Sequence, residues 1–189
     1  MTSESPDATR RRGRWMLIAL FALFFGSVIG AGVLRFSGWQ PPAHKNHGEM
    51  LQPPIDARAI VPRLADGSDY LWNPTERIWR IVVAPPADCT QACVTLARNL
   101  DKVWRLFGHN ADKVEILWIG TLPAGAPKPE SLRLMQPDPA LLAKLPRVND
   151  PAGVPVFVID PNGFVILRYA PGFDPANLRS DVSMLLKLI

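Results

Sequence analysis

Residues 78–93 read IWRIVVAPPADCTQAC, a strand pattern followed directly by two cysteines. Residues 78–83 are rich in β-branched side chains, which predicts a buried strand, and the Pro85-Pro86 pair ends it. After Cys93 the apolar residues are three and four apart, the spacing of one helix face, as far as a stop signal at Gly108. The residues of this predicted helix face are Leu96, Ala97, Leu100, Val103, Trp104 and Phe107.

The rest of the domain continues the alternation of strands and helices. The predicted elements are a strand at Val114–Ile119, a loop over 121–130, one or two short helices over 131–145, a strand at 154–159, a hairpin turn at 160–163, an antiparallel strand at Phe164–Tyr169 and a helix that begins near Pro175. Strands separated by helices imply parallel pairing, so the sequence predicts an α/β fold with a central sheet and flanking helices.

The N-terminal region predicts a membrane anchor. Residues 15–34 carry no charge, and a helix of that length spans about 30 Å, the hydrocarbon thickness of a bilayer. Four arginines lie among residues 10–14, so the positive-inside rule makes residues 1–14 a cytoplasmic tail. The expected location is the bacterial inner membrane, crossed once, with the domain in the periplasm. Residues 30–32 (GAG) resemble a cleavage site, which leaves a cleavable signal peptide as the alternative.

Residues 35–62 are predicted to be a Pro-rich periplasmic linker, followed by the globular domain over 63–189. Its prolines disfavour helix and keep a chain extended. Within it lie His44 and His47, together with Met50, and these side chains are of the types that bind copper. The alternative is an ordinary polar linker close to the membrane.

Composition excludes nucleic-acid binding and limits the roles open to the two cysteines. The net charge is +4, and the N-terminal arginines account for it, so the domain has no basic surface of the kind that binds nucleic acid. Cys89 and Cys93 are the only cysteines. One closely spaced pair does not make a disulfide framework, so it indicates a redox or metal site.

The position and spacing of the pair define its possible chemistry. A helix N-terminus favours a thiolate, whereas the charge of Asp88 opposes one. Residues i and i+4 of a helix have Cβ atoms about 5–6 Å apart, but a disulfide needs about 3.5–4.5 Å. A disulfide therefore requires Cys89 to leave the helix, or local strain. Two thiolates at this spacing also suit Cu(I), and two inert buried cysteines are the remaining alternative.

With these motifs in place, the chain resembles the Sco group of cytochrome c oxidase assembly proteins. The resemblance covers residues 60–189 and rests on Cys89, Cys93 and the strand and turn VFVIDPNG at 156–163. It implies a thioredoxin-like fold and the handling of copper and thiol redox for the CuA site of the oxidase. The group has a third copper ligand, a histidine, at the position of Ala152. The only histidine of the predicted domain is His109.

Two further resemblances concern single motifs. Val154-Pro155 before a strand resembles the thioredoxin and TlpA pattern, which implies a cis Pro155 that faces Cys89. A trans proline at the start of an edge strand is the alternative. Residues 46–48 (Asn-His-Gly) resemble a stretch after the anchor of small bacterial proteins associated with oxidase assembly.

Three functions are expected on this basis. The first is a membrane-anchored assembly factor for a respiratory cytochrome oxidase that handles copper, thiol redox or both. The second is a general periplasmic thiol–disulfide oxidoreductase, although C-x2-C is the usual spacing for dithiol exchange. The third is a scaffold without catalysis.

The candidate residues and partners follow from these functions. Cys89, Cys93 and Pro155 are the candidate catalytic residues. The same cysteines are the candidate ligands of Cu(I) or Cu(II), with His47, His44 and His109 as possible further ligands. The expected partners are the lipid bilayer and an oxidase subunit or another copper or assembly factor.

Overall fold

The computed structural model describes residues 6–37 and 46–188. It divides the chain into two compact units, Met1–His44 and Lys45–Ile189. The first unit contains helix α1, Pro6–Phe36. Its segment Arg11–Phe36 is the one helix among the described residues that is long and apolar enough to cross a membrane. The apolar helix predicted over 15–34 is therefore present.

The second unit is built on one six-stranded sheet with the strand order β1-β6-β5-β2-β3-β4. The strands β2, β3 and β4 are parallel, whereas β5, β6 and β1 are joined by antiparallel pairing. The strands are β1 (Glu49–Asp56), β2 (Trp79–Val83), β3 (Val114–Ile119), β4 (Leu132–Met135), β5 (Val156–Ile159) and β6 (Phe164–Tyr169).

The helices cover both faces of this sheet. Ile81 and Val83 of β2 pack with residues of α2 and α4, whereas Val82 between them packs with Leu141 of α3 on the opposite face. This alternation follows from the two-residue period of a strand. The helices are α2 (Gln91–Arg105), α3 (Pro139–Leu142) and α4 (Pro175–Leu185).

Strand β1 corrects the predicted linker. Residues 49–56 lie inside the range 35–62 that was expected to be extended and free, but they pair with β6 at the edge of the sheet. Proline is tolerated on an edge strand because the outward side of that strand needs no donor. Pro53 and Pro54 lie in the interval where the register shifts, between Met50 and Ile55. The prediction is wrong for these residues, and residues 38–45 lie outside the described part of the chain.

Strand β4 is a second correction. Residues 131–145 were predicted to form one or two short helices, but Leu132–Met135 is a strand parallel to β3. Only α3 remains of the helical prediction; it begins at Pro139 with the side chain of Asp138 as its N-cap. A strand of four residues is too short for periodicity to separate it from a helix.

A buried arginine organises the face of the sheet away from α2. The side chain of Arg80 on β2 is only 1% exposed. Its Nε donates to the Tyr70 hydroxyl at 2.8 Å, and its Nη1 donates to the carbonyl of Ile78 at 3.0 Å. The Tyr70 hydroxyl donates in turn to Glu115 at 2.5 Å. Burial raises the pKa of Tyr70 well above its ordinary value, so the hydroxyl keeps its proton.

The variant Tyr70→Phe tests this network. It leaves the Arg80 Nε and the Glu115 carboxylate without their shared hydroxyl, and an unsatisfied buried polar group costs about 1–3 kcal/mol. Urea unfolding should show a loss of that size. The control is Asp69→Asn, which removes an exposed ion pair with Arg63 and should change the free energy of unfolding by less than about 0.5 kcal/mol. Equal stability of the two variants would contradict the role given to Tyr70.

Candidate functional site

Cys89 and Cys93 form a disulfide at the start of α2. Their Cα atoms are 5.8 Å apart, and the helix begins at Gln91 with Thr90 as its N-cap residue. Cys89 therefore lies outside the helix and Cys93 lies in its first turn, which is how two residues at this spacing become close enough to bond. The backbone N–H of Cys89 donates to the Pro86 carbonyl at 3.1 Å and closes the preceding turn.

The two cysteines differ in accessibility. Cys93 is fully buried, at 0% exposure, and packs within the core between the sheet and α2. Cys89 is partly exposed and packs at the margin of the same core. Because thiol–disulfide exchange requires direct attack on a sulfur atom, the sulfur of Cys89 is the one that another molecule can reach.

The first turn of α2 favours negative charge at the disulfide. Thr90 makes no side-chain hydrogen bond to the first turn of α2, and that turn contains no acidic residue. The backbone N–H groups of a helix N-terminus carry partial positive charge, so they stabilise a thiolate there. The exposed Asp88 is the acidic residue next to the pair in the chain.

Pro155 does not have the predicted peptide geometry. It is buried directly before β5, but the cis bond found among the described residues is Gln52–Pro53 and not Val154–Pro155. The predicted cis Pro155 is therefore wrong. Its neighbour Val154 packs against the core that also contacts Cys89. The predicted catalytic role of Pro155 stays a prediction.

Of the histidines named as further copper ligands, the two described ones do not lie beside the cysteines. His109 is exposed in the 3-10 turn Gly108–Lys113, beyond the opposite end of α2, and His44 lies outside the described residues. In the described ranges, no three His, Cys, Asp or Glu side chains form a group that could hold a metal. Ala152 occupies the position where the resemblance led us to look for a histidine.

His47 instead binds a buried carboxylate. Its backbone N–H donates to Asp181 Oδ2 at 2.7 Å, and its ring Nδ1 lies 2.9 Å from Asp181 Oδ1. The backbone N–H of Gly48 and the hydroxyl of Tyr169 also donate to Oδ2, at 2.9 and 2.7 Å. The side chain of Asp181 is 1% exposed and that of His47 is 48% exposed. These hydrogen bonds attach residues 46–48 to α4.

Steric fit explains the glycine of this cluster, and hydrogen bonding explains its ionised carboxylate. A Cβ atom on Gly48 would lie 2.7 Å from the Tyr169 ring, so only glycine fits at that position. Burial alone would raise the pKa of Asp181, but the hydrogen bonds from Gly48, Tyr169 and His47 outweigh it and hold this pKa below the usual value. Burial raises the pKa of Tyr169 far above its ordinary range.

Asp181 was missed by the sequence analysis, although a signal for it was present. It follows Leu178 by three residues and precedes Val182 on the apolar face of the last helix, where a carboxylate needs a partner. Two of the partners, His47 and Gly48, lie more than 130 residues away in the chain, so the sequence alone did not identify them.

A family comparison agrees with this architecture. Residues 79–189 match the family described as the transmembrane-like, thioredoxin-like, C-terminal domain. The chain belongs to this family. The match includes both cysteines, β2 to β6 and α4, and the predicted thioredoxin-like fold is confirmed.

Solved structures show the same fold at low sequence identity. Trgpx in its apo form is 15% identical, covers 69% of this chain and 94% of its own, and has a TM-score of 0.51. A thioredoxin-like protein from Aeropyrum pernix is 16% identical, covers 66% and 88%, and has a TM-score of 0.50. BsSco, of the Sco family of cytochrome c oxidase assembly proteins, is 11% identical, covers 76% and 97%, and also has a TM-score of 0.50. Comparison with curated protein sequences finds no match.

The first prediction from the site concerns the order of reactivity. After reduction, Cys89 should react with iodoacetamide at least about tenfold faster than Cys93, because burial shields the second sulfur. The measurement is peptide mass spectrometry of a time course. The single variants Cys89→Ser and Cys93→Ser serve as matched controls, and faster labelling of Cys93 than of Cys89 would refute the assignment.

The second prediction concerns Asp181. The variant Asp181→Asn removes the charge that accepts four donated bonds, so the free energy of unfolding should fall by about 1–3 kcal/mol at pH 7. A lowered folded-state pKa gives stability that is full above the ordinary value of 3.8 and is lost as the pH falls. The difference from wild type should therefore narrow below about pH 4.

The control for this variant is Asp112→Asn. Asp112 is exposed, so its substitution should leave the free energy of unfolding nearly unchanged at pH 7 and at pH 3. Chemical unfolding at pH 7 and pH 3 provides the measurement. If the difference in free energy of unfolding between wild type and Asp181→Asn is the same at both pH values, the carboxylate is not the stabilising group.

Proposed function

We propose that this protein is a membrane-anchored thiol–disulfide exchange protein that acts on a protein client. The observation that supports this function best is the disulfide itself, with an accessible Cys89 before α2 and a buried Cys93 in its first turn. One exposed sulfur and one shielded sulfur at a helix N-terminus form the arrangement that a two-step exchange needs.

The exchange can be written with its electrons balanced. In the reduced protein the Cys89 thiolate attacks one sulfur of a client disulfide, and the second client sulfur leaves as a thiolate. The Cys93 thiolate then attacks the Cys89 sulfur, which forms the Cys89–Cys93 disulfide and releases as a thiolate the client sulfur that Cys89 had attacked. Two electrons pass to the client, and a dithiol donor on the same side of the membrane must reduce the pair again.

The proposed place of action is the periplasmic side of the bacterial inner membrane. Helix α1 is long enough to cross a bilayer once, and the arginines among residues 10–14 favour a cytoplasmic N-terminus. An anchor keeps the cysteine pair close to membrane proteins. We propose that the client is a respiratory cytochrome oxidase subunit or another of its assembly factors, a proposal supported by the fold shared with BsSco.

Copper handling is the second part of this proposal, with copper as cargo. The reduced pair would supply two sulfur ligands, which suit Cu(I). Among the described residues no His, Asp or Glu joins the two cysteines in a group of three ligands, and Ala152 takes the place of the histidine that the Sco resemblance implies. We therefore rank thiol exchange before copper transfer.

One set of variants tests both parts on the full-length chain in detergent. Reduced wild type should reduce a disulfide-containing test peptide, Cys89→Ser should be inactive, and Cys93→Ser should accumulate a mixed disulfide that gel electrophoresis detects. Competition with a Cu(I) chelator without oxygen measures copper affinity. Loss of this affinity in both cysteine variants would support copper handling.

Each negative result has a defined meaning. No exchange but tight Cu(I) binding would replace the proposed function with that of a copper carrier. If neither exchange nor copper binding occurs, the protein is a scaffold. His47→Ala serves as a control for copper, because unchanged affinity removes His47 from the set of ligands.

A further inference from the structure

A groove runs along α2 away from the disulfide. Two cavities, of 220 and 320 Å³, share Asn99 and Pro175 in their linings. They therefore meet along the line between α2 and the segment 171–179. We call these two adjoining cavities together the α2 groove, and their residues on the helix include Ala92, Leu96, Asn99, Lys102 and Leu106.

The helical residues of the groove form one face that begins beside the disulfide. Their spacing of three and four residues places them in a single row, and Ala92 directly precedes Cys93. The client cysteine would bond Cys89, which lies just before Gln91, the first residue of α2. Lys102 follows Gln91 by eleven residues, which corresponds to about 17 Å along the helix axis. An extended polypeptide covers that distance with about five residues.

The two ends of the groove differ in charge. The lining of the 220 Å³ cavity near the disulfide contains no charged side chain, and its apolar walls include Leu96, Val154 and Phe173. The 320 Å³ cavity is lined by the cations Lys102 and Arg179. Neither cation forms a salt bridge within residues 6–37 and 46–188.

The acidic neighbours offset only part of this positive charge. Asp174 also lines the 320 Å³ cavity, and its Oδ1 accepts the Ala176 N–H at 2.9 Å as the N-cap of α4. Asp101 on α2 is paired with Arg105 at 3.0 Å. The far end of the groove therefore presents two cations against one carboxylate that already accepts a backbone bond.

We propose that the α2 groove binds an extended segment of the client, with an apolar residue next to its reacting cysteine and an acidic residue about five positions away. The apolar side chain packs between Leu96 and Phe173, and the acidic one meets Lys102 and Arg179. This inference rests on the proposed exchange function and names its substrate class. A polypeptide is the occupant because the same molecule must reach both the sulfur of Cys89 and the cations.

The test uses the full-length reduced chain in detergent and two cysteine peptides activated as mixed disulfides with a chromophoric thiol. The peptides are identical except for Glu or Lys about five positions from the cysteine. Each is made in two forms, with the charge before or after the cysteine, so that both directions of binding are tested. The Glu peptide should react about five- to tenfold faster than the Lys peptide at low salt. This ratio is what two solvent-screened ion pairs, with Lys102 and Arg179, would together produce. The preference should shrink at 0.5 M salt as the charges are screened (roughly a 4–5 Å Debye length).

The double variant Lys102→Glu with Arg179→Glu should reverse the preference. The matched control is Arg98→Glu, an exposed position of the same helix outside the groove linings, and it should keep the preference of wild type. Equal rates for the two peptides, or the same reversal with Arg98→Glu, would overturn the proposal. A rate difference between the Glu and Lys peptides that occurs only in micelles with anionic lipid would also overturn the proposal, and would indicate that the two cations bind a lipid headgroup.

Binding without chemistry separates this inference from the function on which it rests. Peptides with Ser in place of Cys are added to the oxidised protein, and fluorescence anisotropy reports their affinity. Preferred binding of the Glu peptide together with no exchange would uphold the groove and refute the exchange function. Exchange without any preference in rate or binding would leave the function intact and refute the groove.

Discussion

The structure depends on strand β2, which is paired on both edges and buried on both faces. β3 lies parallel along one edge and β5 antiparallel along the other, and all five of its residues are buried. A strand with no exposed side must pack helices or loops on each face. α2, which follows it, is thus held against one face, and this packing places Cys93 inside the core while Cys89 stays at the margin.

A buried carboxylate holds the segment before β1 against the rest of the domain. The hydrogen bonds that Asp181 accepts from His47, Gly48 and Tyr169 join the segment before β1 to α4. α4 packs beside α2 in the same core as Cys93. The first described residues of the domain are therefore connected through packed elements to the helix that carries the cysteine pair. A free tether would not provide that connection.

Prediction succeeded where a pattern was long or chemically specific. The periodic face after Cys93 predicted α2, the β-branched runs predicted β2 and β3, and the turn at 160–163 predicted the β5–β6 hairpin. It failed at β1, where prolines suggested a linker, and at β4, which has only four residues. Both strands exist because a neighbouring strand supplies their hydrogen-bond partners, and local sequence does not contain that information.

The sequence by itself determined the apolar N-terminal helix, the alternation of strands and helices, and the position of two cysteines at a helix start, because these depend on local periodicity and composition. Only the tertiary structure decided that Cys89 leaves the helix to bond Cys93, that Asp181 holds the Asn-His-Gly stretch, and that the α2 groove ends in two cations. Each of these depends on groups brought together by packing across the sheet, since burial and charge act through space whatever the distance along the chain.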